Sequence, residues 1–176
     1  MEKLNNVNLE NLKNFEEKIK KEPSQARKTQ IVEGQWLFEN EEGQFQSKIK
    51  FEGGEVIFKS DNPTFLGGEG KLPGPMQYCF FGLVSCYTGI FANVASQMGL
   101  KLKKISTKVE VDINFSKVFN LADLPIMEEV RIYLFVESDE PEEKIKEAER
   151  EAIERCPAVY TLKNPVKLLS KLEILK

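Results

Sequence analysis

The sequence predicts an α+β fold in which strands are grouped rather than strictly alternating with helices. Three observations carry this. The stretch from Pro73 to Gly99 holds no charged residue, in a chain whose composition is 30% charged, as expected of a long buried helix. Ahead of it lie three short segments of strand character separated by turn residues, and behind it two more, the first alternating apolar and polar. An amphipathic helix and a final strand close the chain, so the predicted order is helix, three strands, long helix, two strands, helix, strand. At 176 residues and 20.1 kDa the chain fits one core, and we divide it into an N-terminal helical arm, 1–24, and a domain, 25–176.

In chain order, Asn8 is placed to cap a helix whose Leu9, Leu12, Phe15 and Ile19 share one face, with Pro23 and Ser24 ending it. The segments KTQIVEGQWLF, QFQSKIKF and EVIFK follow, with turns at Asn40 to Gly43 and at Gly53-Gly54, and predict an antiparallel meander. The Gly/Pro-rich loop DNPTFLGGEGKLPGP marks a close backbone approach or a flexible rim. Pro75 suits the first turn of the long helix and Gly99 its C′ position. The uncharged length also suits a membrane span, but Gln77, Asn93, Ser96 and Gln97 and the strands that follow favour a core helix. Ile105 to Phe115 alternates with Val109, Val111, Ile113 and Phe115 inward, and Glu128 to Glu137 is its expected pairing partner. Ser138, Asp139 and Pro141 start a helix running through Arg155, with Ile145, Ala148, Ala152 and Cys156 on one stripe. The charge run EPEEKIKEAEREAIER reads as its solvated face, and VKLLSKLEIL as a last strand.

Composition narrows the chemistry. Net charge is −3 with mixed signs along the chain, which lacks the basic footprint of a nucleic-acid binder. The absence of histidine removes Ser/His and Cys/His nucleophile pairs and histidine metal ligands. The polar N-terminus has no signal-peptide core, so a cytoplasmic protein outside the membrane is expected. Three cysteines, Cys79, Cys86 and Cys156, do not form a structural disulfide framework in that setting.

Cys79, Gly82, Cys86, Gly89 and Asn93 are spaced 3, 4, 3 and 4 along the long helix and form one stripe of mostly small residues. Simple close packing explains such a stripe, and so does a thiol site. Cys156 stands at the C-terminal end of its helix, before Pro157, where the negative end of the dipole disfavours a thiolate. Phe80, Phe81, Tyr87 and Phe91 serve either as core or as the lining of an apolar pocket.

The pattern GPMQYCFFGLVSC, the alternating strand some twenty residues later and the closing ERCPAVYTLKNPV closely resemble the OsmC/Ohr family of thiol-dependent hydroperoxide reductases, from about Val32 to the C-terminus. The resemblance implies an intertwined homodimer in which antiparallel sheets wrap the long helices. It also implies a redox role for Cys86 and Cys156: Cys86 attacks an organic hydroperoxide and becomes a sulfenic acid, and Cys156 resolves it to a disulfide. An external dithiol of the dihydrolipoamide kind then reduces the disulfide, with no metal and no bound prosthetic group. Oxidative-stress defence is the implied role.

Met76 occupies the position where the family's peroxidases carry a glutamate, and Glu69 in the Gly-rich loop is the candidate replacement acid. The family arginine that holds the thiolate aligns near Asn40, Glu41 and Glu42, so Arg27, Lys48 and Lys71 are the candidate stabilising cations. Met76, Phe80 and Tyr87 are the candidate substrate-pocket residues. Two other functions fit the same fold: a non-catalytic protein that binds a small apolar ligand, and a thiol redox sensor.

Overall fold

Asn5 and Asn6 adopt left-handed backbone angles, φ 51° and 64°, which asparagine tolerates better than most residues. They turn the chain between two short antiparallel strands, β1 (Lys3–Leu4) and β2 (Val7–Asn8). The computed structural model of the protein describes residues 3–39 and 42–175. Within them the elements continue as α1 (Leu9–Lys21), β3 (Gly34–Trp36), β4 (Phe45–Phe51), β5 (Gly54–Ser60), α2 (Pro75–Gln97), β6 (Leu102–Val111), β7 (Val130–Ser138), α3 (Glu142–Arg155) and α4 (Pro157–Lys163). The mix of helices and small antiparallel sheets is α+β, as the patterning predicts.

The chain divides into two compact units, with the division falling inside α2. The first runs from Glu10 to Gly82. Its sheet is the predicted meander, β3-β4-β5, in which Trp36 faces Phe45 and Lys48 faces Ile57. Part of the turn before β4, Asn40 and Glu41, lies outside the described residues. The Gly-rich loop after β5 is organised by the buried Asp61, whose carboxylate accepts the backbone N–H groups of Glu69 and Lys71, each at 3.1 Å. Gly68 is required there, since a Cβ would lie 1.9 Å from the carbonyl oxygen of Asn62. The loop is therefore the close backbone approach. The apolar face of α1 stays largely uncovered: no residue of this helix is buried, and Lys28 reaches over the ring of Phe15 at 5.6 Å.

The second unit combines the N-terminal hairpin with the chain from Leu83 onward. Of α2, Leu83, Tyr87, Phe91, Val94, Ala95 and Ser96 are buried and follow a helical stripe. The opposite side differs from the expected all-round burial: Gly82 and Gly89 have open space where a Cβ would stand, and Phe81 is 62% exposed. By length and composition α2 is long enough to cross a membrane, but its buried stripe belongs to this unit. Gly99, at φ 75°, ends the helix with bonds from its own N–H to Ser96 and from the Leu100 N–H to Ala95, a Schellman arrangement.

Strands β6 and β7 pair antiparallel with Val109 opposite Ile132 and Val111 opposite Val130. The strand stops at Val111, so Ile113 and Phe115 lie in the following loop rather than continuing the inward face. That loop is tied instead by the Asn114 N–H to the Ile126 carbonyl at 2.8 Å. The predicted last strand is not formed. Residues 165–175 have no regular secondary structure, and Leu168, Leu172, Ile174 and Leu175 are 79–90% exposed. A run rich in apolar residues makes a strand only when another backbone pairs with it, and no described segment of this chain does. In front of that arm the structure adds α4, with Pro157 in its first turn.

The hairpin is fastened by two side chains, Asn5 and Ser96, whose hydroxyl reaches the Leu4 carbonyl at 3.0 Å. Asn5 donates to the Leu100 carbonyl at 2.8 Å and to Ser96 Oγ at 3.0 Å, and accepts the Leu102 N–H at 2.8 Å. Asn5→Ala is expected to lower stability by about 2–3 kcal/mol, combining lost part-buried hydrogen bonds with a β-carbon in left-handed backbone. Asn5→Gly should recover only the backbone part. Urea denaturation of the three proteins measures both, and equal stabilities would remove Asn5 as a fastening.

Candidate active site

Two elements bring the thiols together. Cys86 lies on α2, half-buried, beside the buried stripe of Leu83 and Tyr87. Cys156 follows α3, where Ala148 and Ala152 are fully buried one and two turns before it and continue the predicted stripe. Cys156 itself is 0% exposed. Its backbone N–H still bonds to Ala152 at 3.0 Å, while its φ of −77° and ψ of 117° leave the helix, as a residue before proline must.

The two sulfurs are 3.6 Å apart, with the Cys156 thiol donating to Cys86 Sγ. A disulfide needs about 2.05 Å between sulfurs, so closure by roughly 1.5 Å joins them. Burial pushes the Cys156 thiol above its ordinary value, opposed by the backbone N–H groups of Val159 and Ala158 and reinforced by Cys86. Cys156 is thus at once the residue that ends α3 and the N-cap of α4. The sequence showed only the first of these, because a seven-residue helix after Cys-Pro leaves little periodicity to read.

Next to Cys86, the buried Tyr87 donates its hydroxyl to Glu149 Oε1 at 3.1 Å. Burial first, and the Glu149 carboxylate second, push the Tyr87 phenol far above the ordinary tyrosine value. Glu149 falls within the charge run read as solvated. Its neighbours do form surface pairs, Lys144 with Glu147 and Lys146 with Glu142, but Glu149 turns inward. The available signal was its position seven residues before Cys156, on the same helical stripe.

The candidate cations are placed in the first unit. Arg27 is exposed, Lys48 pairs with Glu55 at 2.7 Å, and Lys71 pairs with Glu69 at 2.5 Å. Glu69 and Lys71, the candidate acid and one candidate cation, therefore engage each other. Glu42 pairs with Lys59 at 2.6 Å. In the second unit Arg131 is held by Asp112, Glu129 and Glu110. Among the described residues no group of three or more Cys, Asp and Glu side chains is arranged to hold a metal ion.

Two cavities take up the aromatic residues. One, about 380 Å³ in the first unit, is lined by Val32, Phe45, Phe58, Pro75, Tyr78 and Phe81 among others, and its Tyr78 hydroxyl donates to the Lys59 carbonyl at 2.8 Å. Met76 and Phe80 do not line it. Tyr87 lines the other, about 410 Å³ in the second unit, with Ile132, Leu134, Val136, Ile145 and Glu149. Cys79 is exposed in the first two turns of α2.

The family model for the OsmC-like proteins matches residues 68–171, which include both thiols. The chain belongs to the OsmC-like family. Solved structures with the same fold include an OsmC-like protein from Mycoplasma pneumoniae, 18% identical with a TM-score of 0.58, covering 78% of this chain and 89% of that one. An organic hydroperoxide resistance protein OsmC from Legionella pneumophila is 16% identical with a TM-score of 0.54, covering 78% and 92%. An OsmC-like protein of unknown function from Vibrio cholerae is 12% identical with a TM-score of 0.54, covering 77% and 94%. No curated protein matches the sequence significantly.

Proposed function

We propose that the protein is a cysteine-based hydroperoxide reductase. The observation that carries this is the 3.6 Å approach of Cys86 and Cys156, one half-buried and one fully enclosed. The Cys86 thiolate attacks the terminal oxygen of an organic hydroperoxide; the O–O bond breaks and the alcohol leaves with a proton. Cys86 is then a sulfenic acid. Cys156 attacks Cys86 Sγ, the S–O bond breaks, water leaves, and the Cys86–Cys156 disulfide forms. An external dithiol returns two electrons and two protons by thiol–disulfide exchange. Membership of a family that includes hydroperoxide resistance proteins supports the reading.

The test is steady-state consumption of cumene hydroperoxide with dihydrolipoamide, together with mass mapping after one equivalent of peroxide. Turnover with a Cys86–Cys156 disulfide is expected; no consumption and no such disulfide would sink the reading.

The raised Cys156 thiol sets a pH dependence. Its thiolate fraction is below that of an ordinary thiol at neutral pH, so disulfide formation from the sulfenic acid should accelerate with pH. The rise should continue beyond about pH 8.5, where an unperturbed thiol is half ionised. Stopped-flow measurement of the second step checks this, and a flat profile from pH 6 to 9 contradicts it.

The protein acts as a cytoplasmic homodimer in this reading. The exposed leucines of the C-terminal arm support a second copy as their cover. Sedimentation at twice 20.1 kDa is expected, and a monomer at micromolar concentration would count against it. A second reading, binding of a small apolar ligand, is favoured by the apolar cavity beside Tyr78 and Phe81. Stoichiometric binding without peroxide consumption would establish it in place of the first.

A further inference from the structure

Two side-chain hydrogen bonds join α2 to the segment that ends in Cys156. One is the thiol pair itself, and the other is the Tyr87 hydroxyl on Glu149. On α2 the residues involved are consecutive, Cys86 and Tyr87. On α3 they lie two turns apart on one stripe, about 10 Å along the axis, with the fully buried Ala148 and Ala152 between or beside them. Tyr87 is 2% exposed, and its hydroxyl donates to the half-exposed Glu149. A phenol donating to a carboxylate is a charge-assisted hydrogen bond, here at 3.1 Å between a buried ring and a half-exposed carboxylate. The alanines contribute contact but no reach. It is the long tyrosine side chain that spans from α2 to α3.

We propose that Tyr87 and Glu149 are positioning residues for the redox couple: their hydrogen bond is a strut that holds Cys156 against Cys86 and so stabilises the disulfide over the dithiol. This rests on reading the two cysteines as a redox couple. With the strut in place the thiols meet at a high effective concentration; without it α2 and α3 sample wider separations, and the entropy of the open dithiol rises. The equilibrium is plain exchange. The protein disulfide takes two electrons and two protons from reduced dithiothreitol, giving two thiols and the cyclic oxidised reagent.

The experiment titrates the intact protein in mixtures of reduced and oxidised dithiothreitol and reads the disulfide by mass after alkylation. Tyr87→Phe keeps the ring and removes only the hydroxyl. It should shift the equilibrium about tenfold toward the dithiol, close to 30 mV in midpoint. Glu149→Ala should shift it in the same direction and similarly far, and it carries the test if Tyr87→Phe fails to fold. Glu149→Gln keeps an acceptor oxygen and should stay within about twofold of the native protein. A residue that merely stabilises the unit would lower the melting temperatures of both redox forms alike and leave the titration unmoved. Titrations of Tyr87→Phe and Glu149→Ala within twofold of the native protein overturn the strut, as does a Glu149→Gln shift as large as that of Glu149→Ala. A native protein that forms no Cys86–Cys156 disulfide at any ratio overturns both the strut and the redox reading; a native disulfide unmoved by the variants overturns the strut alone.

Discussion

Cys86→Ser should abolish hydroperoxide consumption, by roughly a thousandfold or more, while leaving the fold in place. A serine hydroxyl is not ionised near neutral pH and is a far weaker nucleophile toward an O–O bond than a thiolate. Oxygen for sulfur is nearly isosteric, and Cys86 is only half-buried, so packing changes little. The measurement is steady-state alkyl hydroperoxide consumption with a dithiol, alongside circular dichroism. Full activity in this variant would remove Cys86 as the nucleophile, and would leave the exposed Cys79 as the thiol to test next.

Cys156→Ser should behave differently. The first oxidation proceeds, one alcohol is released per subunit, and Cys86 remains as a sulfenic acid open to dimedone. Steady-state turnover then depends on an external thiol reaching Cys86, and should fall about 10- to 100-fold with loss of the intramolecular partner. The buried position makes this substitution costlier to the fold than the first, because serine brings a hydroxyl into a site where Cys156 is 0% exposed. A dimedone adduct on Cys86 in this variant, absent from the native protein after peroxide, reads out the resolving step independently of activity. Unchanged turnover without that adduct would show that Cys156 is not the resolving thiol.

Much of this was legible from residue patterns, for local reasons. Turn residues delimited β4 and β5, Pro75 and Gly99 bracketed α2, and strict alternation marked β6. The Ala148, Ala152, Cys156 stripe is buried because helical spacing alone puts those positions on one face. The turn at Asn5-Asn6 lay hidden in a run of polar residues. Its function depends on Ser96, Leu100 and Leu102, some 91 to 97 positions away. Glu149 illustrates the same limit, since nothing in a helix rich in glutamate distinguishes the one that turns toward Tyr87.

The C-terminal arm shows the converse. Its apolar residues suit a strand, but a strand is a relation between two backbones, and no described segment of this chain pairs with residues 165–175. By itself the sequence determined the α+β class and the order of most elements, and it singled out Cys86 and Cys156 as candidates, because these follow from short-range periodicity and from the spacing of a family pattern. Only the tertiary structure decided that Cys156 caps a second helix, that its thiol points at Cys86 from 3.6 Å, and that Glu69 and Lys71 engage one another. Those facts are distances between residues remote in the chain or in different elements, and periodicity carries no information about them.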